Sequence, residues 1–427
     1  MQQAGSKGHP SAIEKAPNGA AKTRDLKFSL FYFADAAPGT FDFKYKLYLE
    51  GAKFADEHGF EAIWTPERHF HENGGLYPNP SVLSAALATV TKHVKLRAGS
   101  VALPLHFPLR VAEEWSVVDN LSGGRAGVSF TSGWVPNDFA IAPKAESFKL
   151  KREVMLENIQ EVQRLWQGGT TRVRDGAGNE VELEIFPKPL QSQLPIWLTC
   201  SGDPAMFVKA GELGLNVLTA LLTQSLEETA GKIELYRRAL AASGRDPQSG
   251  RVTLMLHTFV TDDAEQARQK VQGPLIDYFK SHLDLIKTMI KSLNINLDGI
   301  DPNDPVCLDY FAQFAFERYY QSGSLIGTPE TCRRMVDRLK EMGVDEVACF
   351  IDFGVDTDSV LKSLKYLNQL KESSRVVLNE SQTFEIPDEI PTVARRSAVA
   401  AEVWQTSVDE RIKLQRAARE RQIRQRR

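Results

Sequence analysis

Short apolar runs alternate with longer amphipathic stretches along most of the chain. The apolar runs are nearly continuous rather than alternating, which is typical of strands buried on both faces of a parallel sheet. We therefore predict eight strands, at residues 28–33, 61–65, 94–101, 126–130, 195–200, 216–221, 252–260 and 346–351.

The stretches between these runs have the end signals of helices. "PLRVAEEWSVVDNLSGG" and "DPAMFVKAGELG" each carry proline early and glycine late, the asymmetry expected of a helix. Ser81, directly after Pro80, is the predicted N-cap of another helix. Eight sequential strand–helix units predict an α/β fold, a (β/α)₈ TIM barrel, with a doubly wound sheet as the structural alternative.

Two insertions interrupt this alternation. Residues 169–190, after the fourth strand region, alternate like a hairpin with turn residues at 175–179. Residues 276–324 follow the seventh strand and are rich in aromatic side chains. We predict that this second insertion is either a lid over the barrel or a structural embellishment.

The two ends of the chain differ in composition from the predicted barrel at 26–375. Residues 1–25 are polar and rich in Gly, Ala and Lys, which predicts a disordered leader or linker. Residues 376–427 are predicted to be a basic linker or helix, because ten Lys/Arg and four Asp/Glu lie between 395 and 427. The whole chain has a net charge of −3, so the remaining body is acidic and nucleic-acid binding is not predicted.

The overall composition excludes several classes of protein. The chain is 42% hydrophobic and 25% charged, as ordinary globular proteins are. No apolar run has the length of a membrane-spanning helix, and the start of the chain lacks the apolar core of a signal peptide. The chain has four cysteines, Cys200, Cys307, Cys332 and Cys349, and none of them forms a CxxC pair. This fits a reducing cytosol and predicts a cytoplasmic protein.

Active sites of such barrels lie where the strands end, so the residues that follow each strand are the candidates. "WTPERHF" follows the second strand and holds the densest group of ionisable side chains. His69 is a candidate acid or base because of its near-neutral pKa, and the alternative is a structural histidine bonded to a backbone carbonyl. The other strand ends carry Ala34, Asp35, Ser100, Thr131, Ser132, Gly133, Trp134, Ser201, Gly202, Asp203, Leu222, Thr223, His257, Thr258, Asp352 and Phe353.

Three segments occur in order and carry a family resemblance: "WTPERHFHENGGLYPNPSVLSAALA", "GSVALPLHFPLRVAEEWSVVDNLSGGRAGVSFTSGW" and "NDF". Together they resemble the bacterial luciferase-like flavin monooxygenases, in particular the branch associated with nonribosomal peptide and polyketide synthases. The resemblance implies reduced FMN from a separate flavin reductase, O₂ as cosubstrate, and a flavin peroxide that oxygenates the substrate. It further implies hydroxylation of an acyl, aminoacyl or peptidyl intermediate tethered to a carrier protein, and a homodimer.

The resemblance also assigns expectations to residues after the second strand. His69 matches the second histidine of the family motif, whereas Arg68 stands where luciferase has its catalytic histidine. Arginine is not a base near neutral pH, so aldehyde oxidation does not carry over. Arg68 is expected to stabilise a peroxide or a substrate anion, or to pair with Glu67.

Other positions resemble the family's flavin site. The Gly99–Ser100 step matches a non-proline cis peptide that supports the flavin ring. Thr131 and Ser132 follow the fourth strand, and Trp134 either stacks near the flavin or caps the barrel.

The phosphate of FMN is expected at a helix N-terminus, where backbone N–H groups suit anions. Ser201, Gly202 and Asp203 precede such a helix, with Asp203 contributing only its backbone or a helix cap. Arg152 or Lys149 would supply the positive charge.

Several alternatives remain open at this point. The same flavin chemistry could give Baeyer–Villiger oxygen insertion, the barrel could bind flavin without catalysis, or the cofactor could be F420. A metal-dependent hydrolase using Glu67, His69 and His71 is less favoured because Arg68 opposes a cation, so no metal is predicted. Three further residues have two readings each: His106 and His257 as core or supporting histidines rather than catalysts, and Asp352 as a substrate ligand or a solvated strand-end carboxylate.

Overall fold

The computed structural model describes residues 25–33, 44–72, 74–221, 224–281 and 305–375. Parts of the chain for which the sequence makes predictions lie outside these residues. They are nearly all of the leader, the basic C-terminal segment, residues 282–304 of the second insertion, and the strand-end pairs Ala34–Asp35 and Leu222–Thr223.

All eight predicted apolar runs form strands. The strands of the described residues are β1 (Lys27–Phe31), β2 (Ala62–Thr65), β3 (Lys95–Ala102), β4 (Ala126–Thr131), β5 (Thr171–Arg174), β6 (Glu180–Leu183), β7 (Ile196–Thr199), β8 (Asn216–Ala220), β9 (Val252–Val260), β10 (Leu325–Gly327) and β11 (Glu346–Phe350). The three-residue β10 was not predicted, because so short a run has no readable period.

Eight parallel strands close into a barrel. Around the ring, β9, β11, β1, β2, β3, β4, β7 and β8 pair in that order, and β8 pairs again with β9. The closing pair aligns Val217 with Val252. The predicted TIM barrel is therefore confirmed over the doubly wound alternative, and β10 adds to β9 outside the ring.

The helices cover the outside of the barrel, as the amphipathic stretches predict. In the described residues they are α1 (Lys46–Glu57), α2 (Pro80–Ala88), α3 (Pro108–Ser122), α4 (Lys151–Trp166), α5 (Pro204–Leu213), α6 (Leu226–Ala242), α7 (Ala264–Ser281), α8 (Pro305–Ser322), α9 (Pro329–Glu341) and α10 (Thr357–Ser373). None of them combines the length and the apolar character needed to cross a lipid bilayer.

One helix start differs from its prediction. The cap of α2 is Asn79, whose side chain accepts hydrogen bonds from the backbone N–H groups of Ser81 and Val82, both at 3.1 Å. The predicted cap, Ser81, is wrong because Pro80 takes the first helical position. The fixed φ of proline fits a helix there, and an N–H at this position would have no partner within the helix. The predicted ends of α3 and α5 are confirmed, at Gly123 and Gly214 in the left-handed region.

The first insertion is the predicted hairpin. Strands β5 and β6 pair antiparallel, and the Asp175 carboxylate accepts hydrogen bonds from the backbone N–H groups of Ala177 and Asn179, which holds the turn. In the second insertion, the end of α7 and all of α8 are described, and Phe311 and Phe316 of α8 are buried in the core.

Candidate active site

The carboxyl ends of β2 and β3 are tied together by one buried glutamate. Glu67 is 2% exposed, and its Oε2 accepts a hydrogen bond of 2.7 Å from the backbone N–H of Ala102. Its other oxygen, Oε1, lies 2.9 Å from Nε2 of His69 and 2.5 Å from Nε2 of His106. Two imidazoles therefore share one carboxylate oxygen at the end of the barrel where chemistry is expected.

This arrangement decides two sequence-based alternatives. His69 bonds a carboxylate, not the backbone carbonyl of the structural reading, and its side chain is 12% exposed. His106 was expected only in the core or in a supporting role. It directly follows the 3₁₀ turn Leu103–Leu105, and its side chain joins the same cluster. The family-like "LPLHFP" stretch contained His106, but its spacing from Glu67 gave no sign of the contact.

The protonation of the cluster follows from the balance of burial and hydrogen bonding. Burial alone would raise the pKa of Glu67, but the bonds from His106, His69 and Ala102 outweigh it and lower the pKa. Burial alone would lower the pKa of His106, but the bond to Glu67 and its charge raise it. The Glu67–His106 pair is therefore held as carboxylate and imidazolium over a wider pH range than free side chains would be.

The same three side chains have the composition of a metal site. One nitrogen or oxygen atom of each of Glu67, His69 and His106 lies within 4.8 Å of the others. The metal site considered from the sequence consisted of Glu67, His69 and His71. That set is wrong, because His106 and not His71 lies beside Glu67 and His69. Both imidazole nitrogens hydrogen-bond the same carboxylate oxygen, so these contacts are accounted for without an ion; that the protein binds no metal stays a prediction.

Arg68 points away from Glu67. Its Nη1 donates to Oδ2 of Asp138 at 2.9 Å, and its guanidinium lies 4.9 Å from the ring centre of Trp134. The predicted alternative of an Arg68–Glu67 pair is therefore wrong, because Glu67 is saturated by the two imidazoles and Ala102. Trp134, 59% exposed, covers the guanidinium from outside.

The Arg68–Asp138 pair is incompletely bonded. Among the described residues, Arg68 Nε and Asp138 Oδ1 are buried and have no hydrogen-bond partner. Burial raises the pKa of Asp138 even though the charge of Arg68 acts to lower it. Asp138 lies in the 3₁₀ segment Pro136–Ile141 and was noticed in the sequence only as part of "NDF".

A row of hydroxyl groups crosses the barrel at the ends of β3, β4 and β7. Ser100 Oγ contacts Thr199 Oγ1, which lies 2.8 Å from Ser129 Oγ. The predicted cis peptide at Gly99–Ser100 is confirmed. Sequence reasoning missed Ser129 and Thr199, since a serine or threonine in an apolar run does not reveal which way it faces.

The end of β4 leads into the segment that carries Trp134. Thr131 and Ser132 are half-buried there, and Gly133 adopts a positive φ of 73°. A side chain at Gly133 would also meet the ring of Phe139, at 3.1 Å. The turn therefore requires glycine, and it places Trp134 over Arg68 rather than in the core.

The predicted anion site lies at the start of α5. Asp203 caps the helix by accepting a 3.0 Å hydrogen bond from the Ala205 N–H, which confirms its expected role. Arg152, from α4, pairs with the same carboxylate at 2.8 Å, so the structure brings this predicted cation to the site. Ser201 and Gly202 are exposed beside it, whereas the neighbouring Lys151 lies over the ring of Phe148.

Two further candidates belong to the core. Asp352 is 5% exposed and accepts hydrogen bonds from the Phe33 N–H at 2.6 Å and from the Tyr77 hydroxyl at 2.7 Å, so its reading as a solvated strand end is wrong. His257 is fully buried and lies 3.1 Å from the Tyr319 hydroxyl, as expected of a core histidine.

Comparisons with known proteins identify the family of this chain. The chain matches the luciferase-like monooxygenase family over residues 26–346. It is 26% identical over 359 residues to the oxygenase component of the flavin-dependent trigonelline monooxygenase of Acinetobacter baylyi, covering 80% of this chain and 93% of that protein. It is 27% identical over 249 residues to the 4-hydroxyprotoasukamycin monooxygenase of Streptomyces nodosus subsp. asukaensis, covering 56% of this chain and 66% of that protein.

Solved structures show the same fold. The oxygenating constituent of 3,6-diketocamphane monooxygenase from Pseudomonas putida, a type II Baeyer–Villiger monooxygenase solved in complex with FMN, superposes with a TM-score of 0.65. The match covers 82% of this chain and 99% of that chain at 19% identity, so it supports the fold alone. Taken with the family match along most of the barrel, this makes the chain a member of the luciferase-like monooxygenase family, and hence a flavin-dependent monooxygenase.

Proposed function

We propose that the protein is the oxygenase component of a two-component system. It takes reduced FMN from a separate flavin reductase and uses O₂ to hydroxylate an acyl, aminoacyl or peptidyl intermediate held on a carrier protein. The observation that supports this most directly is the set of side chains at one end of the barrel, where a hydroxyl row, a helix start with Arg152 beside it and a histidine–carboxylate cluster occur together.

The donors at this end fit FMN. The segment before α5 offers the backbone N–H groups of Ser201, Gly202 and Asp203, and Arg152 adds a positive charge, which together suit a phosphate. Asp203 opposes an anion, but its carboxylate is already occupied by the Ala205 N–H and by Arg152. The Ser100 hydroxyl and its partner Thr199 would face the ring. Bound in reduced form, FMN supplies the activation of O₂.

His69 is proposed as the proton donor or acceptor nearest the reacting atoms. Its Nε2 is held by Glu67, which fixes the ring and leaves Nδ1 as the nitrogen for exchange with a bound group. This orientation comes from residues of this chain alone.

Arg68 is proposed to bind negative charge on the substrate or on the oxygen being transferred. A guanidinium holds its proton at physiological pH, so it acts by charge and hydrogen bonding and not as a base. Its unused Nε donor would become available if Trp134 and Asp138 shifted on substrate binding. This replaces the role of the histidine that luciferase has at this position.

The proposed substrate class rests on the resemblance to natural-product oxygenases. One relative acts, by its name, on 4-hydroxyprotoasukamycin, and another on trigonelline, so substrates within the family vary. The carrier protein, the homodimer and the division into leader, barrel and basic C-terminal segment are part of the same proposal.

The test is binding of FMN in both redox states, followed by turnover with a flavin reductase, ¹⁸O₂ and carrier-bound acyl groups. We expect reduced FMN to bind at micromolar concentration or tighter, and one ¹⁸O atom to enter the product. His69→Ala should keep FMN affinity within about threefold and lose about 10²–10⁴-fold in oxygenation. His93→Ala, at an exposed histidine away from the cluster, is the matched control.

Two results would contradict the proposal. Failure of the wild-type protein to bind FMN in either redox state would refute the FMN assignment and direct attention to F420. Undiminished oxygenation by His69→Ala would remove His69 from the chemistry. Mass spectrometry of the product distinguishes a new hydroxyl group from the ester of a Baeyer–Villiger insertion.

A further inference from the structure

A cavity with cationic side chains in its wall lies at the opposite end of the barrel from the candidate active site. Its volume is about 290 Å³, near the lower limit of the roughly 300–1,000 Å³ of small-molecule pockets. Its walls come from residues at or near the starts of strands, among them Lys95, Arg97, Arg125, Gln191, Trp197 and Arg251. Lys95 begins β3 and Ala102 ends it, so this cavity is roughly 20 Å from Glu67.

All the charged side chains that line this cavity are cations. They are Lys95, Arg97, Arg125 and Arg251, and no carboxylate lines it among the described residues. Four carboxylates lie behind the wall: Glu61 and Glu346 pair with lining cations, Asp119 bonds the lining residue Gln191, and the charge of Asp56 acts on Arg125. The positive charge is therefore offset from behind, but the surface that faces the cavity is cationic.

Three of the cations converge on one carboxylate oxygen. Glu61 Oε1 lies 2.5 Å from Lys95 Nζ, 2.8 Å from Arg251 Nη1 and 3.1 Å from Arg97 Nη2. One oxygen cannot satisfy all their donors. Within the described part of the chain, Lys95 and Arg251 make no other side-chain hydrogen bond, so further N–H groups of both are available to a ligand.

Arg97 and Arg125 hold fixed positions and supply a constant positive charge. Arg97 is 1% exposed, bonds Glu346 and is packed between two tryptophan rings, at 5.0 Å from Trp64 and 4.4 Å from Trp197. Arg125 directs its donors at neutral acceptors, including the Ser122 and Val94 carbonyls. Burial lowers the pKa of Arg125, and the charge of Asp56 acts to raise it.

We propose that this cavity binds a small phosphate-class oxyanion, at a site separate from the flavin. A phosphate group carries about −1.5 to −2 charges near pH 7, and here it would face a lining with four cations and no carboxylate among the described residues. Lys95 and Arg251 contact the anion directly, since they have unused donors and are about half exposed. Arg97 and Arg125 attract it through their charge.

The experiment is a titration of the full chain with inorganic phosphate, followed by thermal unfolding and calorimetry. Sodium chloride at matched ionic strength controls for screening. We expect a saturable rise in Tm with phosphate that chloride does not reproduce. Arg251→Gln and Lys95→Gln should each weaken phosphate binding at least tenfold, whereas Arg238→Gln, an exposed cation on α6, should leave it unchanged.

A further variant, in the flavin site, distinguishes this cavity from that site, which would also accept phosphate. Arg152→Ala and saturation with FMN should both leave the Tm rise in place. Loss of the rise in either case would show that phosphate binds only beside α5 and would overturn the proposal. So would an equal effect of chloride, or unchanged binding by both Arg251→Gln and Lys95→Gln once circular dichroism shows that they are folded. None of these outcomes affects the oxygenase assignment.

Discussion

Replacing Glu67 by glutamine should both destabilise the barrel end and change how stability depends on pH. The carboxylate accepts three hydrogen bonds while almost fully buried, two from imidazoles and one from the Ala102 N–H. Glutamine offers one acceptor oxygen and an NH₂ group. Either the Ala102 N–H then faces a donor, or both imidazoles must become neutral and accept hydrogen bonds from the NH₂ group. His106 also loses the charge that raises its pKa.

The magnitude follows from these contacts. A hydrogen bond to a charged group contributes about 1.5–3 kcal/mol, and an unsatisfied buried donor costs about 1–3 kcal/mol. Glutamine retains part of the bonding, so we expect Glu67→Gln to lower the free energy of unfolding by about 3 kcal/mol near pH 6. Glu50→Gln, which removes an exposed partner of Lys53, should cost less than about 1 kcal/mol.

The pH dependence has a definite sign. The pKa of Glu67 is lowered by folding, so its contribution is present above the ordinary carboxyl value of about 4.3 and is lost as the pH falls through the folded pKa. The pKa of His106 is raised by folding, so its contribution is present below about 6.5 and is lost as the pH rises through the folded pKa. The cost of Glu67→Gln should therefore be largest between about pH 4.5 and 6.5.

The assay is urea unfolding of wild type, Glu67→Gln and Glu50→Gln, followed by tryptophan fluorescence at pH 4, 6 and 9. His106→Gln and the double variant complete a cycle that isolates the coupling between the two residues. A cost for Glu67→Gln that stays constant across pH, or a coupling below about 0.5 kcal/mol at pH 6, would refute the ion-pair reasoning.

Three other predictions concern the core and the flavin site. Arg97→Met should cost about 3–5 kcal/mol in urea unfolding because Glu346 is left buried and unpaired, and adding Glu346→Leu should recover most of it; no recovery would contradict this. Asp203→Asn keeps the helix cap but removes a negative charge. Calorimetry at low salt should therefore show that the reduced form of FMN binds about threefold more tightly to Asp203→Asn and about tenfold more weakly to Arg152→Ala than to wild type. Gly99→Ala should lower Tm and cost about 1–3 kcal/mol, because the new methyl group meets two aromatic rings at 2.9 and 3.1 Å; an unchanged Tm would show that they yield freely.

The predictions that succeeded from the sequence are those set by local pattern. Apolar runs bounded by turn residues marked all eight barrel strands, and glycine after the last apolar turn marked the ends of α3 and α5. Because parallel barrel strands all end on the same side, strand position alone also placed His69, Ser100 and Ser201 together at one end.

Side-chain pairing was decided only by the tertiary structure. His106 reaches Glu67 across 39 positions of sequence, and Asp138 reaches Arg68 across 70. No periodicity in the sequence reports contacts between such distant positions. The sequence therefore suggested Glu67 as the partner of Arg68, where the structure has Asp138, and His71 as the companion of Glu67 and His69, where the structure has His106. The four cations around the cavity at the opposite end come from the starts of three strands, β3, β4 and β9, and acquire a common environment only on barrel closure. Local pattern determines where the chain extends and turns, whereas closure of the barrel determines which buried charges must share a partner.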